Sequence, residues 1–307
     1  MQISFEELYA LPLPVIRQIL PGWVAAHLAD ETLRPDAERR LLELFRSVDD
    51  PTLQQLRTTF FGAGDTWRFH PADPTARALT RMFMGILVQA DPIVHPEHLQ
   101  RFVSDGPRRR FMVCNHLSYT DTQVTDQVLS TAGFEAVANR IVAIAGPKVY
   151  TDPWRRLAAI SLHTRKTPQS NVVATEQDAL SPRELATIAF AAIDDCISLC
   201  DQGYIPLLYP EGARSRSGHM RPFLRASARY LAQADVQILP VAQTGTQHIF
   251  PIGETIMNRG PVRLAFGEPF NAADYPGKTG PIVESFRRVA AILPEGYAPD
   301  PADGELI

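Results

Sequence analysis

RFMVCNHLSYTD, residues 110–121, reads as a short apolar strand that runs into a polar turn and then a helix. In one continuous helix His116 and Asp121 would lie about 140° apart around the axis, since each residue turns ~100°. With His116 in the turn and a helix beginning near Thr120, Asp121 falls in the first helical turn and the two side chains can meet. A carboxylate also suits a helix N-terminus by charge. Bonded to one ring nitrogen, it fixes the imidazole tautomer and leaves the other nitrogen as a base. The same spacing also fits a capping aspartate beside an incidental histidine.

On the N-terminal side the pattern is helical. Phe5, Leu8, Leu11, Val15 and Ile16 recur at helical spacing, broken by Pro12 and Pro14. DAERRLLELFRSV at 36–48 sets Leu41, Leu42, Leu44 and Phe45 in one stripe. Asp50-Pro51 opens a segment with Leu53, Leu56 and Phe60 inward, and 74–90 is a further helix. No strand-like alternation appears, so residues 1–92 are expected to form a small helical bundle domain.

From residue 93 short apolar runs alternate with helical segments. The strands expected are 110–115, 141–145, 159–164, 204–209, 236–242 and 262–266. The helices expected are 120–132, 183–201, 221–234 and 281–292. This alternation predicts an α/β domain over 93–307, with a mixed, largely parallel sheet flanked by helices. The tail from Tyr297 reads as loose. Pro21, Pro51, Pro71, Pro153, Pro182 and Pro222 read as punctuation between elements.

The 307 residues are 45% hydrophobic and 21% charged, which argues against general disorder. A net charge of -4 gives no global pull toward nucleic acid, so a basic site has to be local. Cys114, Cys196 and Cys200 have no nearby His or Cys set to complete a metal site, and read as buried reduced thiols. The N-terminus lacks a basic lead-in to an apolar core, so no signal peptide is expected. No run reaches the ~18 apolar residues needed to cross a bilayer. A cytoplasmic protein is expected, meeting any lipid from the water side, with peripheral contact at the inner face of the membrane as an option.

Two further segments carry chemistry. YPEGARSRSG at 209–218 follows the apolar strand YIPLL; Pro210 and Gly212 shape a turn at the strand's carboxyl end, where open α/β sheets place their sites. Arg214 and Arg216, two apart, would point the same way in an extended loop, and paired guanidinium forks suit a phosphate or carboxylate. A solvated basic loop is the plainer alternative. The stretch 145–169 holds Lys148, Arg155, Arg156, His163, Arg165 and Lys166, a local basic surface that invites an anion. Arg155 and Arg156 are read as loop-solvating.

In this order, NHLSYTD, YPEGARS and the apolar strand ILPVA at 238–242 resemble the motifs of the glycerolipid acyltransferase superfamily, over about residues 110–245. AGPKVYTDP and the Arg-x-Arg pair look like its soluble, plastid-type glycerol-3-phosphate acyltransferases. Glu211 is more typical of its lysophosphatidate acyltransferases. The resemblance implies transfer of a fatty acyl group from acyl-CoA or acyl carrier protein to glycerol 3-phosphate or its 1-acyl derivative, in phospholipid biosynthesis. His116 would be the general base and Asp121 its orienting carboxylate. Arg214, Arg216, Arg165 and Lys166, with His163 as a weaker candidate, would grip the acceptor phosphate. Glu211 and Gly212 would shape the acceptor turn, with Glu211 bonding the acceptor or the arginines. No metal or resident cofactor is implied.

Rival classes lack their marks. No G-x-S-x-G elbow, G-x-G-x-x-G fingerprint or P-loop is present. A non-catalytic lipid- or carrier-binding protein on the same fold stays open as an alternative.

Overall fold

Asp49, Asp73, Asp152 and Ser181 each stand just ahead of a helix and accept a hydrogen bond from a backbone N–H of its first turn. Ser181 and Glu184 cap reciprocally. These caps recur in a computed structural model that describes residues 5–104, 109–169, 179–232 and 235–299. In chain order the elements are α1 (Phe5–Ala10), α2 (Leu13–Ala25), α3 (Arg34–Ser47), α4 (Asp50–Gly62), β1 (Phe69–His70), α5 (Pro74–Leu87), β2 (Val88–Ala90) and α6 (Pro96–Ser104). Then come β3 (Arg109–Cys114), α7 (Asp121–Thr131), α8 (Glu135–Ala138), β4 (Ile141–Ala145), α9 (Pro153–Ile160) and β5 (His163–Lys166). The rest are α10 (Pro182–Asp201), β6 (Ile205–Leu208), α11 (Ala228–Leu231), β7 (Val236–Thr244), α12 (Thr246–Ile249), β8 (Gly260–Phe266), β9 (Phe270–Asn271) and α13 (Gly280–Ile292).

The sheet runs β1-β5-β4-β6-β3-β7-β8-β2, with β9 also on β7. Its centre, from β5 to β7, is parallel; β1 is antiparallel to β5, β8 and β9 are antiparallel to β7, and β2 is parallel to β8. It is therefore a mixed, largely parallel sheet flanked by helices. Successive residues of β3 face opposite layers. Met112 and Cys114 join an apolar cluster with Ile16, Leu41 and Phe83 of the N-terminal helices and Val124 and Leu157 of α7 and α9. Phe111 and Val113 join a second cluster with Cys196 and Cys200 of α10 and Ile282 of α13. Each such Leu or Phe, fully buried, contributes about 1.5–3 kcal/mol.

Several expectations change. The N-terminal segment is not purely helical: β1 and β2 are edge strands, two and three residues long, too short to show a period in sequence. The strand expected at 159–164 lies at 163–166, because Ala158–Ile160 complete α9, whose cap at Asp152 starts the helical register. A long helix at 221–234 does not form. Pro222 interrupts it, and only a 3-10 turn and α11 follow; residues 233–234 lie outside the described residues. Pro51, Pro153 and Pro182 do open helices, whereas Pro21 lies inside α2. Of the tail expected to be loose from Tyr297, that residue closes a 3-10 turn, Glu295–Tyr297, and residues 300–307 lie outside the described residues. Among the described residues no helix is long and apolar enough to cross a membrane.

Candidate active site

β3 and β6 are parallel neighbours, Met112 opposite Leu207 and Val113 opposite Leu208. Carried three residues past the Val113–Leu208 pair, that register brings His116 level with Glu211, 95 residues on, and the two are in fact bonded. The two motifs thus leave adjacent strands at the same carboxyl edge. Asn115, fully buried, extends the β3–β7 ladder through its side chain: Oδ1 accepts from Gln243 N at 2.9 Å and Nδ2 donates to Gln243 O at 3.0 Å.

α7 begins at Asp121, so His116 lies in the turn before it, as the helix-angle argument requires. His116 Nδ1 and Asp121 Oδ2 are 2.7 Å apart. Asp121 is 1 % exposed and also accepts from Leu117 N at 2.7 Å and Ser118 N at 3.0 Å. Those donors orient the carboxylate, which in turn favours the Nδ1–H tautomer of His116. Nε2 makes no hydrogen bond among the described residues and is the ring nitrogen available as a base. The imidazole stacks on Tyr209, centroids 4.5 Å apart.

His116 and Asp121 line a cavity of about 290 Å³. Ile144, Val149, Ala158 and Ile252 give it an apolar wall. Lys148, Arg155, Arg214 and Arg216 supply positive charge. The Tyr119 ring carries two guanidiniums, Arg214 at 3.6 Å from its centroid and Arg155 at 5.0 Å. Burial, above all, pulls the Arg214 guanidinium below its ordinary range. Gly212 turns the chain at φ 68°, and a Cβ there would meet Leu224 Cδ1 at 2.3 Å.

Arg214 and Arg216 therefore share the cavity with His116, as the two-residue spacing implies. Arg165, Lys166 and His163 do not line it, which corrects their expected phosphate contacts. Arg165, 1 % exposed, pairs with Asp195 at 2.7 Å. Lys166 is buried, donates to Gly64 O and lies over the Trp67 ring. His163 accepts from Ala72 N at 3.1 Å, and burial lowers its pKa to about 4. The shift of β5 into these residues consumes them as strand; from this stretch Thr164 reaches the cavity. Conversely Arg155, read as solvating a loop, lines the cavity, while its neighbour Arg156 donates to Tyr150 O and Phe61 O. The missed signal was Asp152-Pro153, a helix start that turns residues 155 and 156 to different sides. Tyr119 and Gln123 were also missed; only their place beside the histidine marked them.

Such an arrangement can accept a proton at Nε2 while cations hold an anion in the same space. A family description, Acyltransferase, matches residues 93–244. The chain belongs to the glycerolipid acyltransferase superfamily. Over 75 residues it is 35% identical to a chloroplastic 1-acyl-sn-glycerol-3-phosphate acyltransferase of Brassica napus, and over 79 residues 32% identical to one of Arabidopsis thaliana. These matches span 24% and 25% of this chain and 22% of each relative's length. Among solved structures, the 1-acyl-sn-glycerophosphate acyltransferase PlsC of Thermotoga maritima is similar at a TM-score of 0.49 and 16% identity, over 90% of this chain and 95% of that one.

Proposed function

We propose that this acyltransferase moves a fatty acyl group from a thioester carrier, acyl-CoA or acyl carrier protein, to the free hydroxyl of 1-acylglycerol 3-phosphate in phospholipid synthesis. The observation that carries this reading is the His116–Asp121 pair opening on the same cavity as Arg155, Arg214, Arg216 and Lys148. The acceptor is chosen on the printed activity of the two plant relatives. Glycerol 3-phosphate is the second reading, favoured by the AGPKVYTDP stretch and the Arg214-x-Arg216 pair.

His116 Nε2 takes the proton as the acceptor oxygen attacks the thioester carbonyl carbon. The C–O bond forms, the C–S bond breaks, and the departing thiolate recovers the proton from the imidazolium. Asp121 stabilises that imidazolium meanwhile. The four cations hold the acceptor phosphate, so binding there positions the hydroxyl. The apolar wall suits an acyl chain. No metal or resident cofactor enters these steps. A cytoplasmic protein that touches the inner membrane face peripherally fits a lipid acceptor drawn from a bilayer.

The test is a screen of labelled acyl-CoA and acyl carrier protein against glycerol 3-phosphate and its 1-acyl derivative. Phosphatidate formed from the 1-acyl derivative, and abolished in folded His116→Ala, is the expected result. Exclusive use of glycerol 3-phosphate selects the second reading. Binding of these molecules with no transfer selects the non-catalytic alternative.

A further inference from the structure

Glu211 is 2 % exposed and, unlike its neighbours Tyr209, Gly212 and Ala213, does not line the cavity. Both its oxygens are committed to main-chain donors from two segments. Oε1 accepts from His116 N at 2.7 Å and Oε2 from Arg221 N at 3.0 Å. The His116 carbonyl is held in turn by Ser215 N at 2.8 Å. The peptide groups on both sides of the imidazole are thus tied to the 209–221 loop, the segment that carries Arg214 and Arg216. The resemblance implied that Glu211 shapes the acceptor turn and bonds the acceptor or the arginines; its oxygens meet the main-chain N–H groups of His116 and Arg221 instead.

We propose that Glu211 is a positioning residue for the general base: a buried carboxyl bridge that fixes the main chain of His116 against the anion-holding loop. It acts through His116 and touches no substrate. Its value lies in a constant separation between the proton-accepting nitrogen and the cations that hold the acceptor. A displacement of about 1 Å in such geometry costs on the order of 100-fold in rate.

The chemistry of the bridge makes it distinctive. Both partners are N–H donors. A carboxyl group keeps a lone pair on each oxygen, ionised or not, and can accept from both. A glutamine amide accepts at its oxygen alone, and its nitrogen would face a second donor. Glutamine, nearly identical in shape, therefore cannot replace glutamate here. A residue that only received a hydrogen bond from the acceptor hydroxyl would tolerate that change, since the amide oxygen serves.

The proposal rests on the acyl-transfer reading, and the test separates the two. Glu211→Gln and Glu211→Ala are compared with wild type in steady-state transfer to 1-acylglycerol 3-phosphate. The proton on His116 Nδ1, identified by its loss in His116→Ala, is followed by NMR in the free protein. The expected result is a kcat lowered about 10- to 100-fold in both variants, with the acceptor KM nearly unchanged and the Nδ1 proton signal shifted or lost. Where Glu211→Ala fails to fold, the isosteric Glu211→Gln carries the test. A raised acceptor KM with kcat retained overturns the proposal, as does Glu211→Gln with wild-type kcat. If wild type transfers nothing, the functional reading fails. The proton signal then decides alone: an unchanged resonance in Glu211→Gln overturns the bridge, and a shifted one supports it.

Discussion

Two basic clusters lie within a short stretch of fold, and they do opposite things. Lys148, Arg155, Arg214 and Arg216 face the cavity that holds His116. Arg165 and Lys166, on β5, are 1 % exposed and satisfied by the protein itself, through Asp195, Trp67 and Gly64 O. Charge count does not separate the clusters; the element that carries each one does. Loops and helix starts at the carboxyl edge of parallel strands leave cations facing open space, whereas a strand paired on both sides turns them into internal fastenings. The contrast predicts catalytic losses without unfolding on one side and unfolding without catalytic specificity on the other.

The largest effect is expected at the base. His116→Ala removes general-base catalysis and should lower kcat by about 10²–10⁴-fold, with the urea midpoint near that of wild type; folded mutant with full transfer would break the assignment. Next comes the cavity cluster. Arg214→Ala should raise the acceptor KM about 10- to 100-fold, the equivalent of one or two charge-assisted hydrogen bonds, and leave the acyl-donor KM alone. On the other side, Asp195→Ala leaves the buried Arg165 without its carboxylate and should cost roughly 1.5–3 kcal/mol of stability in denaturant titration. The folded fraction should keep its wild-type acceptor KM; a raised KM would return Arg165 to the acceptor site.

The smallest effect is one of pH. Burial pushes the Glu211 carboxyl from 4.5 up to about 8, against the pull of its two N–H donors. The folded chain therefore keeps a proton that the unfolded chain releases at 4.5. That contribution to stability is fully present below about pH 4.5 and is lost as pH rises toward 8. Tm measured across this window should fall more steeply with pH in wild type than in Glu211→Gln. Parallel slopes would remove the raised carboxyl from the account.

The sequence disclosed the elements with a clear period and the residues whose chemistry is local. The strands near 110–115, 141–145, 204–209, 236–242 and 262–266 all form, close to their expected limits. Helix geometry allowed the His116–Asp121 contact provided a helix began near Thr120, with a capping aspartate beside an incidental histidine as the alternative. What stayed hidden depended on register between distant segments. The bond from His116 to Glu211 needs β3 beside β6, and the pairing of Arg165 with Asp195 needs α10 laid over β5. Local pattern also failed where a cap outweighed it: Asp152 starts α9 and moves the start of the following strand four residues along.

Tyr119 has a consequence beyond holding two side chains in place. Arg155 and Arg214 share the neighbourhood of one ring, and the charge of Arg155 adds to burial in disfavouring a charged Arg214. Negative charge arriving beside the two guanidiniums would offset that repulsion. Under the proposed function such a site would sort its acceptors by valence: a phosphate monoester, with close to two charges at neutral pH, would gain more than a diester or a carboxylate of the same size.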